Sequence, residues 1–482
     1  MSGDHPDNST PLHAAATSPL RELLYLAAPT VAQMASYTLM QFADTWMLAR
    51  YSEQIGSRAS EPLAAANAGL LAFAMMSIGW GTVQLVNALV SQNFGQRDYP
   101  SCGRYLWQGV WFAVAYGLIM LTLIPFAHVP FEQFKHEPHL VALQAQYMQI
   151  TLAWTVFRLI GTTFTQFLLA INRPNLVLIA AVCGVSVNIF FNWLLIFGHW
   201  GFPEMGLAGA AWGTNLALLV ETGLLIGFAM LPRIRRTFNA LDWRFRADHM
   251  RLLLKIGLPS GLQVVADVLA WALFGVWVMA VLGEAAMAGH NFMMRYMVVS
   301  FMPAFGLATA VTALVGRYIG MGRHDLAARR AHLGFFVCAI YMLTCGLAFF
   351  VFRHQLMSLF TKDPEILALG ATLLIFAAIY QFFDAVYIIY VGALRGAGDT
   401  AVPALVTAAL CWGITLGGGL LIVTQFPQWG AVGPWTAATI YGVVLGVFMY
   451  VRFARGRWKL IRLEADSPPA NIRPAELVIP DP

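Results

Sequence analysis

The chain has 482 residues, of which 59% are hydrophobic and 11% are charged, and its formal net charge is +5. Soluble domains carry about 25% charged residues, so this composition excludes a soluble globular protein and indicates a chain that resides in a bilayer. The five cysteines lie mostly within apolar runs and lack the spacing of metal ligands, so we expect neither a metal site nor a cofactor.

Twelve apolar runs reach the length of roughly 20 residues that a helix needs to cross about 30 Å of hydrocarbon. The predicted fold class is therefore an all-α integral membrane protein with twelve transmembrane helices. Polar, proline-containing segments flank these runs at 1–20 and 456–482, and we predict that both are disordered tails. The predicted spans are 22–49, 63–90, 105–127, 144–170, 175–198, 207–231, 252–282, 286–316, 333–352, 366–393, 402–424 and 430–453.

The two halves of the chain resemble each other, which indicates an internal repeat. Pro29 in "LAAPTVAQ" matches Pro259 in "IGLPSGLQ", and three further pairs of segments match in the same order with shifts between 224 and 230 residues. Six helices in each half place both halves the same way round in the membrane. We predict two pseudo-symmetric six-helix bundles, with an N-lobe at 21–231, a linker at 232–251 and a C-lobe at 252–455.

The basic residues predict the orientation of the chain, because cytoplasmic loops retain Lys and Arg during insertion. The N-terminal flank, the even-numbered loops and the C-terminal tail hold 22 of the 29 basic residues when Lys255 and Arg452, close to the ends of their predicted spans, are included. Both termini and the linker are therefore predicted to be cytoplasmic. Since this bias also explains the positive net charge, we expect no nucleic-acid partner.

Four acidic residues lie inside the predicted spans, and a carboxylate in the membrane costs on the order of 3 kcal/mol on insertion scales. Under the repeat, Asp267 corresponds to about Tyr37 and Asp384 to about Gly161, so no acid has an acid as its counterpart. A carboxylate needed only by the scaffold would be expected in both halves, so these acids indicate specialised sites in each lobe. The four are Asp44, Glu221, Asp267 and Asp384.

Further oxygen-bearing side chains share helix faces with these acids. Tyr380 precedes Asp384 by four residues, and Gln263 precedes Asp267 by four, so each pair lies on one face of its helix. Carboxylate, amide and hydroxyl oxygens bind hard cations, whereas a desolvated carboxylate alone takes up a proton. The same spacing joins Asn188 and Asn192, for which hydrogen bonding between helices is an equally good interpretation.

The stretch "RGAGDT", Arg395 to Thr400, predicts a tight cytoplasmic turn between the tenth and eleventh helices, because glycines adopt positive φ angles readily. We expect Asp399 or Thr400 to cap the eleventh helix, with Pro403 in its first turn. A phosphate-binding loop is the alternative, but neither GxGxxG nor GxxxxGK[ST] is present.

Five motifs resemble the multidrug and toxic compound extrusion (MATE) family, and within it the NorM-type branch. The resemblance covers roughly residues 20 to 455, and the last motif is the most specific. The motifs are "FADTWM" at Phe42, "NIFFNW" at Asn188, "GLPSGLQVVAD" at Gly257, "YQFFDA" at Tyr380 and "ALRGAGDT" at Ala393.

The resemblance implies a monomeric, cation-driven exporter of organic, mainly cationic, compounds in a bacterial inner membrane, surrounded by membrane lipid and coupled to Na⁺ or H⁺. It places Asp267, Tyr380 and Asp384 in the cation site of the C-lobe. The NorM-type branch usually has Glu at the position of Asp267, so the carboxylate here is one methylene shorter. The family's polar cluster in the N-lobe corresponds to Asp44, Asn188, Asn192 and Thr214.

Two other functions are weighed against export. A flippase for a lipid-linked anionic substrate would share this architecture, and Arg158 and Arg295 inside the spans would suit its phosphates. Those arginines would equally pair with Asp267 or Asp384, or extend to the membrane interface. A membrane enzyme is disfavoured because the chain has no HExxH, no GxSxG and no nucleophile beside a base.

Overall fold

The computed structural model describes residues 18–56, 60–133, 137–461 and 463, so most of the two predicted tails lies outside it. In these residues twelve helical spans follow one another, as the hydropathy pattern predicts. They are α1 (Pro19–Ile55), α2 (Ser60–Gln96), α3 (Tyr99–Thr122), α4 (Pro138–Ala153 and Thr155–Ala170), α5 (Pro174–Phe197), α6 (Gly206–Ala229), α7 (Ala247–Leu282), α8 (Glu284–Gly320), α9 (His324–Val351), α10 (Pro364–Gly396), α11 (Ala401–Gln425) and α12 (Val432–Ala454).

The spans have the length and surface of membrane helices. Ten are long and apolar enough to cross a bilayer, and α4 is an eleventh if its two parts, bent by 48°, count as one span. α1 is the most polar, but its 37 residues extend about 55 Å, well beyond the hydrocarbon thickness. Large apolar side chains on the outside of α9, including Phe336, Ile340 and Leu347, are more than 60% exposed, as lipid-facing residues are.

Local sequence explains most helix starts. Proline occupies the first turn of α1, α4, α5 and α10, where its missing N–H is not needed by the helix. Ser18 caps α1 and Asp363 caps α10, each accepting a bond from a backbone N–H of the first turn. The short helix Pro232–Thr237 follows α6, and α7 begins at Ala247, inside the predicted linker.

Two π-helical turns interrupt helices in the second half of the described chain. A π-helical turn spans Phe274–Met279 in α7, and a longer one spans Cys411–Gly418 in α11. Such turns are frequent at functional sites because they rotate the side chains that follow them. Proline lies inside both repeat-related first helices, as Pro29 in α1 and Pro259 in α7.

Each half of the chain forms its own helical lobe. The core of the second lobe is one large cluster of buried residues, from Ala270 to Trp458, whereas the first lobe is held by three smaller clusters, one of which includes Leu253 and Ile256 at the start of α7. The start of α1 is shared, because Leu23, Leu26 and Ala27 pack into the core of the second lobe. α1 therefore belongs to the first lobe by sequence and contacts both.

The two lobes are tightly packed at one end of the bundle. We call this end the terminal face, because α1 begins there and α12 ends there. Gly95 and Gly320 allow the closest approach: a Cβ on Gly95 would lie 2.1 Å from the Arg317 carbonyl oxygen, and one on Gly320 would lie 2.0 Å from that of Gln92. The Gln92 side chain donates a 2.8 Å hydrogen bond to the carbonyl of Gly396. Close packing at Gly95 and Gly320 and the hydrogen bond from the Gln92 amide thus hold the two lobes together at the terminal face.

An ionic network adds to this closure. Glu22 of α1 accepts a 2.7 Å bond from Nε of Arg330 and lies 3.9 Å from Arg317. Arg317 in turn donates to Oδ1 of Asn172 at 3.2 Å, which extends the network from α8 to the loop between α4 and α5. Arg317 and its partners are largely shielded from solvent, so salt screens this network less than it screens an exposed ion pair.

Candidate functional site

The predicted C-lobe site lies among α7, α10 and α12. Asp267 of α7 accepts hydrogen bonds from the hydroxyls of Tyr387 and Tyr441, each at 3.5 Å. Asp384 of α10 is only 7% exposed and interacts electrostatically with Asp267. The structure therefore brings together two carboxylates that are 117 positions apart in the sequence.

Asp384 differs from Asp267 in its surroundings. Within the described residues, no side chain or backbone group donates a hydrogen bond to the Asp384 carboxylate, whereas Asp267 has two tyrosine donors. Tyr380, one turn before Asp384, packs its ring against Trp271 at a centroid distance of 6.2 Å and is almost fully buried. The Asp384 carboxylate thus keeps unused capacity to accept hydrogen bonds, unlike that of Asp267.

Gln263 connects the site to the terminal face. Its amide nitrogen donates to Tyr387 at 3.0 Å and to Thr407 at 3.1 Å, and its amide oxygen accepts from Arg395 at 3.4 Å. The chain Arg395, Gln263, Tyr387, Asp267 therefore crosses the lobe from the end of α10 to the carboxylate. The sequence indicates only that Gln263 and Asp267 share a helix face. The structure shows that the Tyr387 hydroxyl bridges them by hydrogen bonds.

The predicted polar cluster of the N-lobe also assembles. The Asn192 amide donates to Oδ1 of Asp44 and, at 3.3 Å, to Oδ1 of Asn188. Asn188 donates to the Thr214 hydroxyl at 3.2 Å. These four side chains come from α1, α5 and α6, and Gly213 of α6 gives room for Asn192, since a Cβ there would lie 2.1 Å from its oxygen. Three oxygen-bearing side chains thus cluster around a single carboxylate.

The two intramembrane arginines lie in different environments. Arg158 of α4 is partly buried and interacts electrostatically with Glu221, Tyr37 and Tyr147. Arg295 of α8 is exposed. Arg158 is therefore associated with Glu221 rather than with Asp267 or Asp384, which were its alternative partners.

The Tyr37 hydroxyl donates to Glu221, and the Gln33 amide donates to Tyr37 at 3.2 Å. Glu221 and Arg158 are each recognisable in the sequence as charged residues within apolar spans. The sequence does not indicate that they are neighbours, because they are 63 positions apart and lie on different helices. Tyr37 gave no signal of its own beyond its match to Asp267 in the repeat.

The predicted turn at "RGAGDT" is confirmed, with Gly398 at φ +82°, but the predicted cap is wrong. Thr400 precedes α11 without capping it through its side chain, and its hydroxyl instead donates to the Ile256 carbonyl at 2.6 Å. Asp399 accepts two 2.8 Å bonds from Arg452 of α12. Tertiary partners took both side chains, since a bidentate arginine pair is stronger than a local cap.

A twelve-helix membrane bundle with an internal repeat has the architecture of a secondary transporter. The sequence model of the MatE family matches residues 29–194 and 259–417, two segments that begin at the repeat-related prolines, and the chain belongs to this family.

The chain is similar to curated proteins and to solved structures over most of its length. The chain is 27% identical over 447 residues to a probable multidrug resistance protein NorM of Thermotoga maritima, covering 91% of this chain and 93% of that protein. It is 29% identical over 453 residues to the multidrug resistance protein PmpM of Pseudomonas aeruginosa, covering 92% and 93%. A MATE family transporter of the MOP superfamily, solved in an outward-facing conformation, has the same fold, with a TM-score of 0.81, 18% identity and coverage of 92% and 97%.

Proposed function

We propose that the chain is a multidrug efflux transporter that exports organic, mainly cationic, compounds in exchange for Na⁺ or H⁺. The relatives in T. maritima and P. aeruginosa are named multidrug resistance proteins, which supports drug efflux. The observation that carries the exchange mechanism is the C-lobe pair, in which Asp384 is buried beside Asp267 without a hydrogen-bond donor among the described residues. An organic cation and a small cation both stabilise such a carboxylate.

The mechanism is competition for this pair during alternating access. A ligand shifts the equilibrium between two conformations only by its differential affinity for them. Loading of the ion on one side favours release of the compound there, and loading of the compound on the other side favours release of the ion. Tyr380 contributes a neighbouring oxygen, and the hydroxyls of Tyr387 and Tyr441 hold Asp267 in place. The lobes act within a single chain, which we propose to be a monomer.

Sodium dependence of binding is the experiment that tests this function. We expect the affinity of the purified protein for a fluorescent organic cation such as ethidium to fall as sodium rises at fixed ionic strength, because both ligands use Asp384. The Asp384→Asn variant should lose this dependence. If the binding affinity changes with pH alone, and sodium and potassium have the same effect on it, the coupling ion is the proton. If neither sodium nor pH affects binding, the exchange mechanism is wrong.

The orientation is the second part of the proposal. The positive-charge bias favours a cytoplasmic terminal face, and the packed contacts on this face would then correspond to an outward-open state. We expect cysteines at Glu53 and Gln428 to react with an impermeant maleimide added outside intact cells, because both positions are exposed on the face opposite the termini. Cysteines at Arg329 and Arg457 should react only after the cells are opened. Labelling of these two cysteines from outside intact cells would show that the predicted orientation is wrong. The charge bias also predicts that His136 faces outward, and this residue lies outside the described residues.

The flippase alternative has less support from the arrangement of charges. Arg158, which would bind an anionic lipid phosphate, already has Glu221 as an electrostatic neighbour. Arg295 remains exposed, but a single arginine does not define a phosphate site. The acids and aromatic rings of the C-lobe favour cationic substrates.

A further inference from the structure

One helix of the N-lobe, α2, contacts two helices of the C-lobe. A Cβ on Gly261 of α7 would lie 2.2 Å from the Ile78 carbonyl oxygen of α2, so the two backbones touch there with no side chain between them. Further along α2, the Gln92 side chain donates its 2.8 Å bond to the Gly396 carbonyl at the end of α10. Both contacts join one lobe to the other, so both depend on the lobes being packed together.

A series of four hydrogen-bonded side chains, which we call the relay, begins between these two contacts. Gln263 follows Gly261 by two residues on α7, and Arg395 directly precedes Gly396 on α10. α2 therefore sets the separation of α7 and α10 at the first bond of the relay. The relay is Arg395, Gln263, Tyr387 and Asp267, in the order of their hydrogen bonds.

Arg395 also faces the N-lobe directly. It lines a cavity of about 20 Å³ between the lobes, together with Asn87 and Gln166 of the N-lobe and Thr312 of α8. Nε of Arg395 and Oδ1 of Asn87 are both buried, and neither has a hydrogen-bond partner among the described residues. A donor of one lobe and an acceptor of the other thus belong to residues that border the same space. Any change in the contact between the lobes therefore changes the surroundings of the Arg395 guanidinium.

The bonds of the relay are of unequal strength. Gln263 donates to Tyr387 at 3.0 Å, whereas the bond from Arg395 to Gln263 is 3.4 Å long and the bond from Tyr387 to Asp267 is 3.5 Å long. The two long bonds exceed the usual range in proteins, so a small displacement of α7 against α10 strengthens or breaks them. A donor to a carboxylate stabilises its charge. The Tyr387 bond therefore affects how strongly Asp267 binds a cation or a proton.

We propose that Gln263 and Arg395 are positioning residues that transmit closure of the terminal face to Asp267. With the lobes packed, α2 holds α7 and α10 in the arrangement that directs the Tyr387 hydroxyl at the carboxylate. When the lobes part, the contacts with α2 are lost and the relay loosens. Because coupling between two sites is reciprocal, a cation or proton bound at Asp267 also changes how readily the face opens. The inference rests on the proposed exchange of a compound for a cation.

Loss of the conformational response without loss of binding is the expected result of breaking the relay. Spin labels at Arg236 and Arg329, one in each half of the chain, measure the separation of the lobes at the terminal face. In the parent protein, the distance distribution should change when sodium replaces potassium or when the pH is lowered. Gln263→Met keeps a side chain of similar length but removes its hydrogen bonds. We expect this variant to lose the change in distance and to export less, while it still binds ethidium.

Thr407 provides the matched control. It accepts the second hydrogen bond of the Gln263 amide at 3.1 Å but does not lead to Asp267, so Thr407→Val should keep the parental change in distance. Arg395→Gln breaks the relay from its other end and should lose the change, whereas Arg395→Lys still carries a donor and should keep it. Gel filtration and ethidium binding show which variants are folded. If Gln263→Met does not fold, the two Arg395 variants decide.

Three outcomes would overturn the proposal. The first is a parental change in distance in folded Gln263→Met or Arg395→Gln protein. The second is its loss in Thr407→Val, because Gln263 would then act through packing alone. The third is a parent protein whose distances ignore sodium and pH although its ethidium binding responds to them. Failure of the exchange mechanism looks different, because ethidium binding to the parent would itself be indifferent to sodium and pH, and the relay would then have no ion binding to transmit.

Discussion

Replacement of Asp384 by asparagine is expected to abolish ion-coupled efflux while the protein remains in the membrane. Asparagine has nearly the same volume, so the packing beside Tyr380 is kept. It cannot carry the negative charge that an organic cation and a coupling ion both stabilise. The drug resistance that the transporter confers on a susceptible host should fall to that of cells without it. The measurement is growth inhibition together with efflux of a fluorescent cation.

Asp325 provides the matched control for this substitution. It lies at the start of α9, its side chain is 56% exposed and its partner is Arg323, also at the surface. Asp325→Asn should therefore leave efflux at the parental level. Asp267→Asn should resemble Asp384→Asn, because the two acids form one site. Resistance of the Asp384→Asn strain equal to that of the parent, at equal membrane abundance, would show that Asp384 does not couple transport.

A single added methyl group at the terminal face should shift the access equilibrium strongly. A Cβ on residue 320 would meet the backbone oxygen of Gln92 at 2.0 Å, and backbone cannot rotate away as a side chain does. Overpacking of this kind costs roughly 1–3 kcal/mol, which corresponds to about a 5- to 150-fold change in an equilibrium between two states. Since the collision is between the lobes, Gly320→Ala should favour states in which this face is open and slow the transport cycle.

Spin-label distances between the lobes give the direct readout. Labels at Arg236 and Arg329, both exposed on the terminal face, would report a longer distance in the Gly320→Ala protein. Gly227→Ala in α6 is the control, because no atom lies within 4 Å of a Cβ there. Identical distance distributions and efflux in the parent and the Gly320→Ala protein would mean that the glycine contact does not determine which face is closed.

Two kinds of sequence signal predicted the N-lobe cluster: spacing within one helix and resemblance to family motifs. Spacing within one helix correctly placed Asn188 beside Asn192, because side chains four residues apart share a face whatever the tertiary fold. Motif resemblance grouped Thr214 and the intramembrane acid Asp44 with these asparagines, and the structure places both in the same cluster. Whether these residues bind ions stays a proposal that the experiments above test.

Other members of the sites gave no usable signal. Tyr387 and Tyr441 donate to Asp267 from two other helices, yet they are two of fifteen tyrosines in an aromatic-rich chain. Tyr37 and Glu221 are 184 positions apart and meet only when α1 packs beside α6. Such pairs depend on how each helix is rotated about its axis, which local sequence does not specify.

The sequence alone determined the number of membrane helices and the division into two related halves. Burial in lipid requires long apolar runs, and a repeated order of motifs survives in the chain itself. Only the tertiary structure decided which charges share a site. It paired Asp399 with Arg452 instead of leaving it to cap α11, and it associated Arg158 with Glu221. The physical reason is that a buried charge is stabilised by whichever partner the packing of distant helices brings within reach, and that packing is a property of the whole bundle.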